Sequence, residues 1–342
     1  MRIAIIGATG QVGTVMRAIL RERNYPVDEI RYFGSSRSAG TFLDWNGEQI
    51  VVEDAATADF SGIQIVLASS GATASRAISP LMAAAGAIVV DNSSAWRSDP
   101  DVPLVVSEVN AHTLHNIPKG IVANPNCTTM AAMPVLKPLH LAAGLTSLTV
   151  STYQAVSGAG RDGVDELAGQ VEASVQRDIR VLTFDGAGIE MTPGVKFPNT
   201  IAHNVIPMAG DMVDDERLET VEEKKLRDES RKILEIPGLL VAATCVRVPV
   251  FTGHSLSITA SFDRPISPQE ATEILSNAPG VVLHEMPTPR LAAGKDPSYV
   301  GRIRPAETVK NGLSFFVSND NLRKGAALNT VQIAEELISI IS

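Results

Sequence analysis

The sequence predicts an α/β protein in two parts: a doubly wound domain with a parallel sheet, then a mixed α+β domain. Three observations carry this. The chain has 342 residues, more than one core usually holds. Short apolar runs alternate with amphipathic stretches through residues 1–127, the pattern of strands covered by helices on both faces. After Cys127 that alternation stops.

The elements follow in order. "RIAIIGATGQVGTVMRAILRER" (2–23) reads as a buried strand, a glycine turn and an amphipathic helix. "IRYFGSS" (30–36) is a second strand. "IQIVLASSGATASRAISPLMAAAG" (63–86) is a strand and a helix, and "AIVVDNSS" (87–94) and "GIVANPNC" (120–127) are further strands. Beyond lie the strand-like "LTSLTVSTYQAVSGAG" (145–160), a charged helix (216–234), and strands at 239–250 and 254–262. "SPQEATEILSN" (267–277) carries a capping box, with Ser267 as cap, Pro268 at the first helical position and Glu270 reaching back. The final "GAALNTVQIAEELISIIS" is a helix with Val331, Ala334, Leu337 and Ile341 on one stripe. From its pattern alone it fits either domain.

Hydrophobic residues make up 44% and aromatics 4%, so the cores are aliphatic. A formal charge of −9 argues against coating nucleic acid or an anionic membrane. Two cysteines make no disulfide framework and point to a reducing compartment. The apolar run in "MRIAIIGATG" is too short for a signal peptide, and "LMAAAGAIVV" (81–90) is about half a membrane span. The expectation is a cytoplasmic protein. No Cys/His spacing reads as a zinc site, so no metal is expected.

"GATGQVG" places Gly7, Gly10 and Gly13 between a strand and a helix. Such a turn lets backbone amides approach a diphosphate at a helix N-terminus, the mark of a Rossmann-like dinucleotide site. An NAD site usually offers Asp or Glu near the end of the second strand. Here "FGSSRSAG" supplies Ser35, Ser36, Arg37 and Ser38 instead, groups suited to a 2′-phosphate, so NADP is the expected cofactor.

Cys127, in "NPNCTT", falls at the start of a helix, where the dipole favours thiolate. Cys245 lies inside the apolar "VAATCVRVPV" and reads as core. A nucleophile needs a base. Of the six histidines, His140, His112 and His115 read as structural or solvated; His254, after "FTG", is favoured, with His203 as rival.

Taken together, "GATGQVG", "SSRSAG", "SSAWR", "NPNCTT", "STYQAVSGAG", "EEKK", "RVPVFTGH" and "DNLRKGAALN", in this order, resemble the aspartate-semialdehyde dehydrogenase family over nearly the whole chain. "NPNCTT" followed by "RVPVFTGH" is the specific part. The resemblance implies reversible conversion of L-aspartate 4-semialdehyde, phosphate and NADP+ to 4-aspartyl phosphate and NADPH, towards lysine (through diaminopimelate), threonine and methionine. It implies a homodimer formed through the second domain. It also implies that helix 325–342 returns to the first domain, leaving 128–324 as the catalytic and dimerisation domain.

The resemblance assigns roles residue by residue. Cys127 is the nucleophile that carries an acyl thioester, His254 the general acid/base, and Gln154 an orienting amide. Arg247 matches the arginine for the substrate α-carboxylate, with Glu222 near the ammonium. Arg97 and Lys225 match the phosphate positions, with Glu223 and Lys224 as adjacent registers. Gly7, Thr9, Gly10, Gln11 and Val12 line the diphosphate; Ser35, Arg37 and Ser38 meet the 2′-phosphate; Ser157, Gly158 and Asn321 lie towards the nicotinamide. Arg247 and His254 are seven apart, so one straight strand would face them oppositely; Pro249 and Gly253 must break it. Rival readings are an N-acetylglutamyl-phosphate reductase, a cysteine hydrolase and a non-catalytic NADP sensor. Glu222 disfavours the first and the glycine turn the second.

Overall fold

The computed structural model describes residues 1–341, in which two sheets form. The first has seven strands: β1 (Arg2–Ile6), β2 (Glu29–Gly34), β3 (Phe42–Trp45), β4 (Glu48–Asp54), β5 (Ile65–Ala68), β6 (Ile88–Asp91) and β7 (Ile121–Ala123), in the order 3-4-2-1-5-6-7. All pairs are parallel except the β3–β4 hairpin on the edge. The order reverses between β1 and β5, and ligands of such sheets bind at the carboxyl ends there. Helices α1 (Gln11–Glu22), α2 (Ala72–Ala84) and the short α3 (Ser107–Asn110) connect these strands. The hairpin is absent from the sequence-based expectation, though its Asn46-Gly47 turn, with φ of 51° and 92°, is a strong hairpin signal.

Helix α4 (Cys127–Ala143) leads into the second sheet: β8 (Leu145–Gln154), β9 (Leu240–Arg247), β10 (His254–Phe262), β11 (Val281–Leu283), β12 (Ser298–Ala306) and β13 (Gly312–Asn319), ordered 11-12-13-10-8-9. Between these strands lie α5 (Arg161–Ser174), α6 (Val221–Leu234), α7 (Pro268–Ser276) and α8 (Pro289–Ala292). Leu148 and Val150 of β8 and Leu256 and Ile258 of β10 share one core with Met133, Leu136 and Leu139 of α4. The other face is left open, carrying Thr149, Ser151 and Tyr153, whose ring lies 5.8 Å from that of Phe316.

The charged helix begins at Val221 rather than at 216, because Thr220 and Glu223 form a capping box. The capping box of Ser267 and Glu270 is present on α7. The last helix, α9 (Asn329–Ile341), packs on the first sheet: Val331, Ile333, Ala334 and Leu337 join the core of Ile3, Ile5, Ile65 and Leu67. Arg23 pairs with Glu335 through two bonds of 2.7 Å. Before α9, residues Arg323–Leu328 form a π-turn, with Gly325 N–H donating to the Asp320 carbonyl and Ala327 N–H to that of Leu322. The turn is anchored by a buried ion pair between Lys324 and Glu108. It lays Gly325 against the nucleophile candidate: a Cβ there would stand 2.8 Å from Cβ of Cys127.

Candidate active site

A cleft of about 1210 Å³ runs from the carboxyl ends of the first sheet to the second domain. At one end lie Thr9, Gly10, Gln11 and Val12, with Ser69 and Gly71 from the loop after β5. Gly7 has φ of 75°, and a Cβ on it would meet the Ser69 carbonyl oxygen at 2.2 Å; on Gly13 it would meet the Gly7 oxygen at 2.3 Å. Such a close-packed glycine turn at the start of α1 fits a diphosphate, whose oxygens accept backbone N–H bonds. Ser35, Arg37 and Ser38 do not line the cleft. They form the exposed turn after β2, where Ser38 N–H and Oγ donate to the Ser35 carbonyl at 2.8 and 3.1 Å. The Arg37 guanidinium has no side-chain partner among the described residues, so it is available to a ligand at the rim.

At the other end the chemistry-bearing groups converge from distant segments. Asn126 caps α4: its Oδ1 accepts from Thr128 N–H at 3.0 Å. Cys127 is thereby the first helical residue and half-buried. Nε2 of the fully buried His254 lies 3.2 Å from its Sγ. The Ala155 N–H donates to Nδ1 of the same ring at 3.0 Å. Nδ1 is thus an acceptor, and the neutral imidazole carries its proton on Nε2, pointing at sulfur. Burial, with Arg247 adding, pushes His254 down to about 3, so it is neutral across the working range.

The strand break required between Arg247 and His254 is present. β9 ends at Arg247, β10 begins at His254, and Gly253 turns with φ of 101° against Pro289. Gly158 packs on both, since a Cβ there would lie 3.0 Å from Arg247 Nη1 and from His254 Nε2. Arg247 is 6% exposed, donates Nη1 to the Ala155 carbonyl at 2.8 Å and lies over the Phe197 ring. It has no ion-pair partner among the described residues. Burial pulls its guanidinium below the usual range, while Glu222 holds it up.

On α6, Glu222 and Lys225 line the cleft and pair at 2.7 Å. The adjacent register is excluded: Glu223 caps the helix and accepts from Cys245 N–H, and Lys224 pairs with Asp228. Burial opposes ionisation of Glu222, but Lys225, Asn126 and Arg247 outweigh it and bring its carboxyl down to about 2. Gln154 Nε2 reaches Glu222 at 3.4 Å. Arg97 donates Nε to the Asn124 carbonyl, Nη2 to that of Asn92 and Nη1 to Glu229. Asn321 ties two loops, accepting from Gly253 N–H at 2.8 Å and donating to Ser157 Oγ at 2.9 Å.

His203, the rival base, bonds Ser174 at 2.9 Å, away from Cys127. The surroundings of Cys127 work against the pull of its helix N-terminus: burial raises the thiol to about 11 and Glu222 adds, against the pull of Arg247, Arg97 and Lys225. Sequence reasoning also missed Glu229, Ala155 and Gly325. Glu229 follows Glu222 and Lys225 at seven and four residues, a helix-face spacing visible in the sequence. The other two act through backbone or the lack of a side chain, which no residue type signals. Among the described residues, no group of three or more His, Cys, Asp or Glu is placed to hold a metal ion, and no helix is long and apolar enough to cross a membrane.

A glycine turn under a doubly wound sheet, opening onto a cysteine–histidine contact, defines the class: an oxidoreductase of the dinucleotide-binding α/β type, with a cysteine in its active-site cleft. Comparison with known proteins specifies it. Residues 2–117 match the semialdehyde dehydrogenase NAD binding domain, and residues 136–324 the semialdehyde dehydrogenase dimerisation domain. The chain is 65% identical to aspartate-semialdehyde dehydrogenase of Streptomyces akiyoshiensis, over 98% of each chain. It superposes on aspartate semialdehyde dehydrogenase II complexed with ASA from Vibrio cholerae with a TM-score of 0.92, at 39% identity, covering 99% of this chain and 98% of that one. The Candida albicans enzyme with NADP gives 0.72 at 26% identity, covering 98% of each. The chain belongs to the aspartate-semialdehyde dehydrogenase family, enzymes acting on an aldehyde in amino-acid biosynthesis.

Proposed function

We propose that this chain interconverts L-aspartate 4-semialdehyde, phosphate and NADP+ with 4-aspartyl phosphate and NADPH through a thioester on Cys127. The observation that carries this reading is Arg247: a buried guanidinium with no acid partner among the described residues, beside the Cys127–His254 contact. A buried unpaired cation is costly, and a substrate α-carboxylate completes it by a two-pronged bond. Glu222 receives the ammonium, and Gln154 orients the acyl group. That ammonium offsets the carboxylate charge that holds the thiol up, so substrate itself favours the thiolate.

The Cys127 thiol gives up its proton to solvent through the open cleft; Sγ then adds to the aldehyde carbon, its electron pair making the C–S bond as the carbonyl π pair moves onto oxygen. His254 donates its Nε2–H to the negative charge, on sulfur before addition and on oxygen after it, the donor half of an acid/base role. NADP, held by Gly7 to Val12, with Ser157, Gly158 and Asn321 towards its nicotinamide and Ser35, Arg37 and Ser38 at its 2′-phosphate, supplies hydride acceptance and return. Phosphate, drawn by Arg97 and Lys225, then attacks the acyl carbon; the C–S bond breaks, thiolate leaves, and the proton given up by hydrogen phosphate restores the Cys127 thiol.

The reading divides the chain into 1–127 with 325–342, and 128–324. It places a homodimer contact on the open face of the second sheet and the enzyme in the cytoplasm. The test is NADPH formation from aspartate semialdehyde with and without phosphate, with NAD in place of NADP, and with N-acetylglutamate semialdehyde as rival substrate. A phosphate-dependent signal specific to aspartate semialdehyde and NADP is expected. A preference for the acylated substrate or for NAD overturns that part of the reading.

A further inference from the structure

Arg97 reaches the phosphate end of the cleft from a loop, and its backbone is gripped from α6: Lys232 Nζ donates to the carbonyls of Arg97, Asp99 and Val102 at 3.0, 2.7 and 2.8 Å. Its head is held by the Asn124 and Asn92 carbonyls through Nε and Nη2, and its remaining prong, Nη1, by a carboxylate of α6. Glu229, one turn before Lys232, is 5% exposed, and its Oε1 accepts from Arg97 Nη1 at 3.1 Å. Its Oε2 accepts the Asn126 backbone N–H at 2.6 Å, the amide immediately before Cys127. Glu229 is the sole ion-pair partner of Arg97 among the described residues, and both partners of its carboxylate are N–H donors.

We propose that Glu229 is a positioning residue, which fixes the Arg97 guanidinium at the phosphate subsite and ties it to the turn that carries Cys127. This rests on the phosphorylating reading above. One carboxylate bridges the group that receives phosphate and the residue that carries the acyl group, so both reacting partners are set from one helix face. Its charge and its placement act in opposite directions. A carboxylate beside Arg97 drains positive potential from the subsite, so charge alone makes Glu229 a hindrance to phosphate. Placement makes it a requirement.

Glu229→Gln separates the two. The amide is nearly isosteric but offers one acceptor oxygen, so its NH2 must face one of the two N–H donors. In the oxidative direction, with wild-type turnover shown first to depend on phosphate, the KM for phosphate is expected to rise about tenfold, the scale of losing a charged hydrogen bond. The KM for the aldehyde and the dissociation constant for NADP stay within about twofold. In an Arg97→Lys background the same substitution should have a smaller effect, because the fork it positions is gone. A fall or no change in the KM for phosphate overturns the proposal, as does loss of kcat alone together with a lower Tm. Should Glu229→Gln not fold, Glu229→Asp keeps the charge but is too short to reach both donors; it must raise the same KM, and an unchanged value overturns the proposal. A wild-type enzyme indifferent to phosphate would instead refute the functional reading itself.

Discussion

The chain's two cysteines make a natural experiment. Cys127 opens a helix at the cleft; Cys245 lies within β9, fully buried, one strand from β8, whose Gln154 lines the same cleft. Burial raises both thiols, to about 11 and about 12, and Glu222 adds to both. The direction in which burial moves the thiol therefore does not distinguish them. What distinguishes them is what surrounds the sulfur: Cys127 has an imidazole N–H at 3.2 Å, three cations pulling its thiol down, and room for a carbonyl. Reactivity belongs to the loaded site, not to the residue.

The largest effect tests that directly. Cys127→Ala should lose turnover on the order of 10⁴-fold or more while retaining NADP affinity. Cys245→Ala should keep turnover within a few-fold and cost about 1–2 kcal/mol of stability. Steady-state kinetics with a dinucleotide titration check both, and an active Cys127→Ala enzyme ends the covalent mechanism. His254→Ala should cost roughly 10²–10⁴ in kcat, because the sulfur and the developing oxyanion lose their donor; a loss below about tenfold removes it from the chemistry.

Arg247→Lys should lower kcat/KM for aspartate semialdehyde by about 10²-fold despite keeping the charge, since a point charge cannot replace the fork. Unchanged kinetics would take Arg247 out of the site. The smallest effect concerns pH. A thiol raised to about 11 is protonated at neutrality, so alkylation of Cys127 in the free enzyme should climb about tenfold per pH unit until near 11. Cys245 should stay unmodified while the protein is folded. Glu222→Gln should move the Cys127 profile to lower pH; a plateau already at neutral pH would show that burial does not govern this sulfur.

Much of the site is legible in the sequence because it is local. The glycine turn needs three residues and a flanking strand and helix, all contiguous. The capping box of α7 likewise lies within four residues. Arg247 and His254 are joined as a pair only through the family resemblance; Pro249 and Gly253 permit the strand break that the pair requires. Glu229 is harder: its spacing on α6 is visible, but a carboxylate at that spacing on a charged helix looks solvated until Arg97 and Asn126, more than 100 residues earlier, are brought against it.

By itself, then, the sequence determined the parallel strands of the first sheet outside the β3–β4 hairpin, β8 to β10 but not β11 to β13 of the second, where a diphosphate meets a helix start, and which cysteine stands at a turn. These follow from periodicity, capping and glycine's lack of a side chain, all short-range properties. The tertiary structure alone decided that His254 presents Nε2–H to sulfur, that Arg247 lacks an acid partner among the described residues, that burial raises the thiol against the pull of three cations, and that Arg97 is held from α6. Each depends on burial and on charges brought close by folding, and desolvation and Coulomb energies exist only once distant segments share one low-dielectric space.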